Sequence, residues 1–167
     1  MPISAALLPE FEHEMANTRK TIERIPDDKF DWAPHAKSTK LGALGTHLAG
    51  LAGFASMALQ TESLDVMPGG VSMRQPGCKT RAEILELFDK NVAEGKAAIS
   101  AATDEQWMVT WSLLMNGRTV FQLPRIAVVR TSVLNHSIHH RGQLSVYLRL
   151  LDLPVPALYG PSADEQM

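Results

Sequence analysis

Residues 61–79 read Thr61-Glu-Ser-Leu-Asp-Val-Met-Pro68-Gly69-Gly70-Val-Ser-Met-Arg-Gln-Pro76-Gly77-Cys78-Lys79, and this stretch decides the fold. Its prolines and glycines break any helix. Before it, a helix is expected from about Thr39 or Lys40 to Gln60, with Leu44, His47, Leu51, Phe54 and Ala58 on one face. After it, Thr80 and Glu83 carry the signature of a capping box, and Ile84, Leu87, Phe88, Val92 and Ile99 continue a further helix. A connection this long is a crossover, suited to a bundle whose second and third helices run the same way.

Working outward, Leu8, Phe11, Met15, Thr18, Ile22 and Ile25 recur at spacings of three and four. They predict an amphipathic helix over about 4–25, with Glu12, His13, Arg19 and Lys20 off its apolar face. Pro26 to Lys40 is a connection. Within 107–122, Asn116-Gly117 flanked by Trp111, Leu113, Val120 and Phe121 predicts a small hairpin. Pro124 opens a last helix reaching about Leu151, and the proline-rich tail from Leu153 packs along the bundle. The expected fold is all-α: one four-helix-bundle domain over 1–167, with a small extended hairpin before the last helix.

Hydrophobic residues make up 45% and charged residues 20%, the balance of a soluble globular chain. With 16 Lys and Arg against 18 Asp and Glu, there is no dominant basic face for nucleic acid. Cys78 is the single cysteine, so no intrachain disulfide forms and a reducing compartment is the natural reading. The first ten residues lack a basic signal-peptide region, and no run nears roughly 18 uninterrupted apolar residues. A cytoplasmic protein with no membrane partner is expected.

The chemistry concentrates in Leu134-Asn-His136-Ser-Ile-His139-His140-Arg-Gly-Gln143. At about 100° per residue, His136 and His140 lie about 40° apart on one helix face, close enough to clamp a cation. His139 falls at the edge of that face, where a rim or supporting role suits it. A metal on His136 and His139 is the alternative pairing. A lone His-x-x-x-His is weak evidence, because a hydrogen-bonded polar pair looks the same. His47 tips the balance: it holds a core position between Leu44 and Leu51, where an unpartnered imidazole would be costly. A divalent metal on His47, His136 and His140 satisfies all three. Such a site lacks a fourth protein ligand and leaves a position open for water or substrate. Imidazole alone does not choose among zinc, nickel, copper and iron.

Other residues read more plainly. Glu14 is expected on a solvated face, although it lies near enough to reach the site. Cys78 is an inert loop cysteine or, less simply, a thiol at a helix start. His35 suits a rim. Arg141 and Gln143 flank the ligands and either orient substrate or, for Arg141, pair on the surface. Gly142 is expected to permit close packing, Trp32 and Trp111 to line core or pocket, and Tyr159 to pack the tail.

Three stretches resemble the DinB family. They are Ile25-Pro-Asp-Asp-Lys-Phe-Asp-Trp32-Ala-Pro34-His35-Ala-Lys-Ser38, leading through Leu41-Gly42 to His47, then Asn135 to Leu144, and Tyr147 to Gly160. The resemblance implies an up-down-down-up four-helix bundle with nickel or zinc on one histidine of the second helix and a His-x-x-x-His pair of the last. Those roles fall on His47, His136 and His140. It also implies a homodimer and a small-molecule substrate, with a low-molecular-weight thiol as the concrete case. The family name refers to induction by DNA damage and not to DNA binding. Three functions follow: a thiol-S-transferase-like metalloenzyme, a metal-dependent hydrolase, and a non-catalytic metal-binding stress-response protein.

Overall fold

The apolar periodicities become long helices in the computed structural model, which describes residues 1–73 and 76–166. Helix α1 spans Ile3–Ile22, α2 Leu41–Gln60 and α3 Arg81–Ala101. The last helical run joins a short α5, Arg125–Val128, through a π-helical turn, Val129–Asn135, to α6, His136–Leu150. A five-residue α4, Asp104–Met108, sits between α3 and the strands.

Packing fixes the helix directions. Gly45 of α2 lies against Ile84 of α3, Asn91 Nδ2 donates to the Ala49 carbonyl at 2.9 Å, and Gly95 meets Ala52. Positions advance together, so α2 and α3 run the same way. Between α1 and α3 the order reverses: Arg19 pairs with Asp89, Glu12 with Lys96, and Ser4 Oγ donates to the Ala102 carbonyl. Glu10 pairs with Arg130 and Glu14 with Arg141, so α1 and the last helical run share a direction. The crossover at 61–79 therefore links parallel helices, although its residues 74 and 75 lie outside the described residues.

The extended part is larger than the expected hairpin. β2 (Thr110–Met115) pairs antiparallel with β3 (Arg118–Pro124), turning at Asn116 and Gly117, both at positive φ. That is the backbone an Asn-Gly turn provides. A third strand, β1 (Ser63–Asp65), joins β2 in parallel, giving the order β1-β2-β3. Asp65 explains why it stays: its carboxylate accepts the Asn116 and Gly117 N–H groups at 2.9 and 2.7 Å, tying the crossover to the hairpin turn. The chain is thus mostly helical with a small three-stranded sheet, rather than all-α.

The core runs between the helices through Phe11, Leu44, Leu48, Ile84, Phe88, Val133 and Leu144, closed at the sheet end by Trp107 and Trp111. Helix α2 is long and apolar enough to cross a membrane, but 61% of its apolar window is buried among the other helices. Its composition is that of a core helix.

Candidate metal centre

His47 leaves α2 toward α6, where His136 and His140 stand one turn apart. His47 Nε2 is 3.4 Å from His136 Nε2, and His140 Nε2 is 2.8 Å from His136 Nε2. One nitrogen from each ring lies within 4.8 Å of the other two. Three ligands at about 2.1 Å from a tetrahedral ion would be about 3.4 Å apart, and about 3.0 Å apart at adjacent octahedral corners. The cluster has the size of a coordination sphere.

The local sequence explains the placement. His136 begins α6 directly after the π-helical turn, whose extra residue per turn alters the helix phase just before the site. Burial, then the nearby His140 and His139, push the pKa of His136 below the usual histidine range. A hydrogen bond from its ring to the Ser132 backbone acts in the opposite direction. The balance favours neutral imidazole, the form that ligates metal. All three rings are half-buried, so one side of the cluster remains within reach of solvent. Among the described residues no carboxylate or thiol joins them.

The three proposed ligands converge, and the other histidines stay outside. His35 is exposed, its Nδ1 accepting the Lys37 N–H at 3.1 Å. His13 pairs with Asn17 on α1. His139 is exposed and bonds Gln143 at 3.2 Å, so the His136–His139 pairing is not the one that gathers with His47. The half-buried Cys78 bonds through its N–H to Thr46 Oγ1 and takes no part in the cluster.

Three neighbours differ from expectation. Glu14 is buried, not solvated, because Arg141 comes with it: Arg141, 1% exposed, reaches Glu14 Oε2 at 2.6 Å. Arg141 Nη1 also donates to the Glu14 carbonyl at 2.9 Å and to Thr18 Oγ1 at 3.2 Å. Arg141 is therefore not a surface charge but half of a buried pair. Tyr159 ties the tail to this pair, its hydroxyl donating to Glu14 Oε2 at 2.6 Å and meeting Arg141 Nη2. Gly142 permits no close packing, since nothing lies within 4 Å of where its Cβ would stand. Gln143, exposed beside the cluster as its flanking position implies, has Oε1 2.7 Å from His140 Nδ1. Only the spacing of three between His140 and Gln143 hinted at that contact. Nothing local hinted that Tyr159 would meet Glu14.

A helical protein with a half-buried three-histidine cluster is the class this fold and site define. The chain belongs to the DinB family, whose model matches residues 1–166. Its structure is similar to a crystal structure of a DinB-like protein from Bacillus cereus ATCC 10987, at TM-score 0.73 and 20% identity, covering 95% of this chain and 98% of that one. A DinB-like protein from Bacillus subtilis superimposes at TM-score 0.69 and 18% identity, covering 90% and 96%. At such identities the likeness concerns the fold. No curated protein matches the sequence.

Proposed function

We propose that this protein holds one divalent ion, nickel or zinc, on His47, His136 and His140 and uses it to activate a small thiol for transfer to an electrophile. One observation carries the reading: three imidazole nitrogens gather on a half-buried site, and no carboxylate, thiol or fourth imidazole joins them among the described residues. Three histidines with an open position make the donor set of a catalytic ion rather than a closed structural one. Such an ion lowers the pKa of a bound thiol or water and so supplies a nucleophile near neutral pH. The protein's own part is to keep the rings neutral and aimed, and to hold the helices that carry them in register.

The same reading takes the long helices as an up-down-down-up bundle, supported by the parallel packing of α2 with α3 and the opposed packing of α1 with α3. It takes the protein as a homodimer, as the family resemblance implies, and as cytoplasmic, the reducing compartment that a single cysteine suits. The test is a thiol-transfer assay on metal-loaded protein, with glutathione or cysteine as thiol and chlorodinitrobenzene as electrophile. Sulfur bonds to the ring carbon, chloride leaves with the bonding pair, and the thiol proton goes to buffer. Metal-dependent turnover lost in His140→Ala supports the proposal. Metal-dependent cleavage of a p-nitrophenyl ester without thiol transfer would favour hydrolysis. Metal binding with neither reaction would favour a non-catalytic metal protein.

A further inference from the structure

His140 does not stand alone on α6. Its Nδ1 lies 2.7 Å from Gln143 Oε1, and Gln143 Nε2 lies 3.2 Å from His139 Nε2. The side-chain amide thus spans two imidazoles, carbonyl toward one and amino group toward the other. We propose that Gln143 is the positioning residue of the metal site, holding His140 in the tautomer that ligates, and that His139 holds Gln143 the right way round. This rests on the reading of His47, His136 and His140 as metal ligands.

The argument is one of donors and acceptors. A carbonyl oxygen only accepts, so the 2.7 Å contact places the proton of neutral His140 on Nδ1. The Nε2 lone pair is then free for an ion, which would stand between it and His136 Nε2, 2.8 Å away; without the ion that contact needs a proton on one of the two nitrogens. A turned amide would present NH₂ to Nδ1, favour a proton on Nε2 and close the ligand atom to metal. The amide turns freely unless something distinguishes its ends, and His139 does so. Its Nε2 accepts from the amino group, and a reversed amide would oblige the ring to move its proton to Nε2, so His139 biases the amide toward the useful orientation. The order His139, His140, Gln143 along one edge of α6, with His140 half-buried between two exposed neighbours, therefore acts as a unit, although only His140 reaches the cluster. Partners of this kind behind a metal-bound histidine typically change metal affinity 10–100-fold when removed, by orienting the ring and raising its basicity.

Zinc dissociation constants by chelator competition, together with proton–nitrogen NMR of the His140 ring in zinc-loaded protein, test the proposal. Gln143→Ala is expected to weaken zinc about 10–100-fold. Gln143→Glu, which keeps an acceptor at the same reach, returns affinity to within a few-fold of wild type. His139→Ala costs about tenfold or less, since the amide can still adopt the useful orientation. In zinc-loaded wild type the His140 Nδ1 proton is held by Gln143 and exchanges slowly with water, and in Gln143→Ala it exchanges faster. Gln143→Ala within twofold of wild type, in a protein that His140→Ala deprives of zinc, would overturn the positioning role and leave the metal site standing. Wild-type protein that binds no zinc or nickel would overturn the site itself. A His140 Nδ1 proton that exchanges equally fast in wild type and Gln143→Ala contradicts the proposal.

Discussion

Replacing Arg141 by methionine should be among the most damaging single changes in this chain, though the residue touches no ligand atom. The guanidinium and the Glu14 carboxylate are 2% and 8% exposed and 2.6 Å apart. Methionine keeps much of the apolar stem, so the cost is chiefly electrostatic. Glu14 Oε2 would retain the Tyr159 hydroxyl at 2.6 Å and lose its cation, while the Glu14 carbonyl and Thr18 Oγ1 would lose their donor. Removing one partner of a buried pair costs roughly 3–5 kcal/mol. Tyr159→Phe removes the hydroxyl's bonds to Glu14 and Arg141 from a residue that is 60% exposed and should cost roughly 1–2 kcal/mol. The double variant Glu14→Gln/Arg141→Met leaves no unpaired charge, and should cost less than the sum of the single changes by roughly 0.5–3 kcal/mol. Urea unfolding of metal-free protein, followed by far-ultraviolet circular dichroism and compared at equal slopes, gives all four values. A loss below about 1 kcal/mol for Arg141→Met, or strict additivity in the double variant, would refute the claim that this buried pair locks α1 to α6.

Gly142→Ala should stabilise the protein by up to about 1 kcal/mol, because an open helical position gains propensity without a clash. Gly95→Ala should destabilise it, since the new Cβ would lie 3.0 Å from the Ala52 carbonyl oxygen, which belongs to backbone. Thermal melts of the two variants separate these signs. For pH, the His136 pKa is depressed in the folded state, so the unfolded chain binds more protons as acid is added. Metal-free stability should be unaffected by this group above about pH 6.5 and fall as pH drops from there through the lowered folded value. Urea titrations across that window should show a shallower fall in His136→Ala.

The histidine cluster was legible because its ligands obey simple spacing. His136 and His140 are one turn apart, and His47 holds a core position that an imidazole alone does not suit. The crossover and the Asn116-Gly117 turn were equally plain, since glycine and proline act through local backbone. What escaped the sequence depends on distant partners or on geometry that periodicity averages away. β1 is three residues long and exists through pairing with β2 and the turn held by Asp65. α4 had a local signal in Thr103 and Gln106, which form a full capping box, but five residues show no apolar period. At Thr80 the box closes differently, as Glu83 accepts from the Lys79 N–H instead of from Thr80. The π-helical turn before His136 leaves no mark in composition. The burial of Glu14 and Arg141 could not be read from either helix, because each charge is buried only by virtue of the other and of Tyr159 in the tail.

The central claim is that three histidines hold one ion, and the measurement closest to it is metal analysis of protein purified without an affinity tag and loaded with zinc or nickel. Mass spectrometric metal counting should give one ion per chain, and X-ray absorption at the metal edge should fit three imidazole nitrogens at about 2.1 Å. His47→Ala, His136→Ala and His140→Ala should each abolish stoichiometric loading, whereas His139→Ala should retain most of it. A loaded wild type with no stoichiometric metal, or a His47→Ala protein that still carries one ion per chain, would contradict the account.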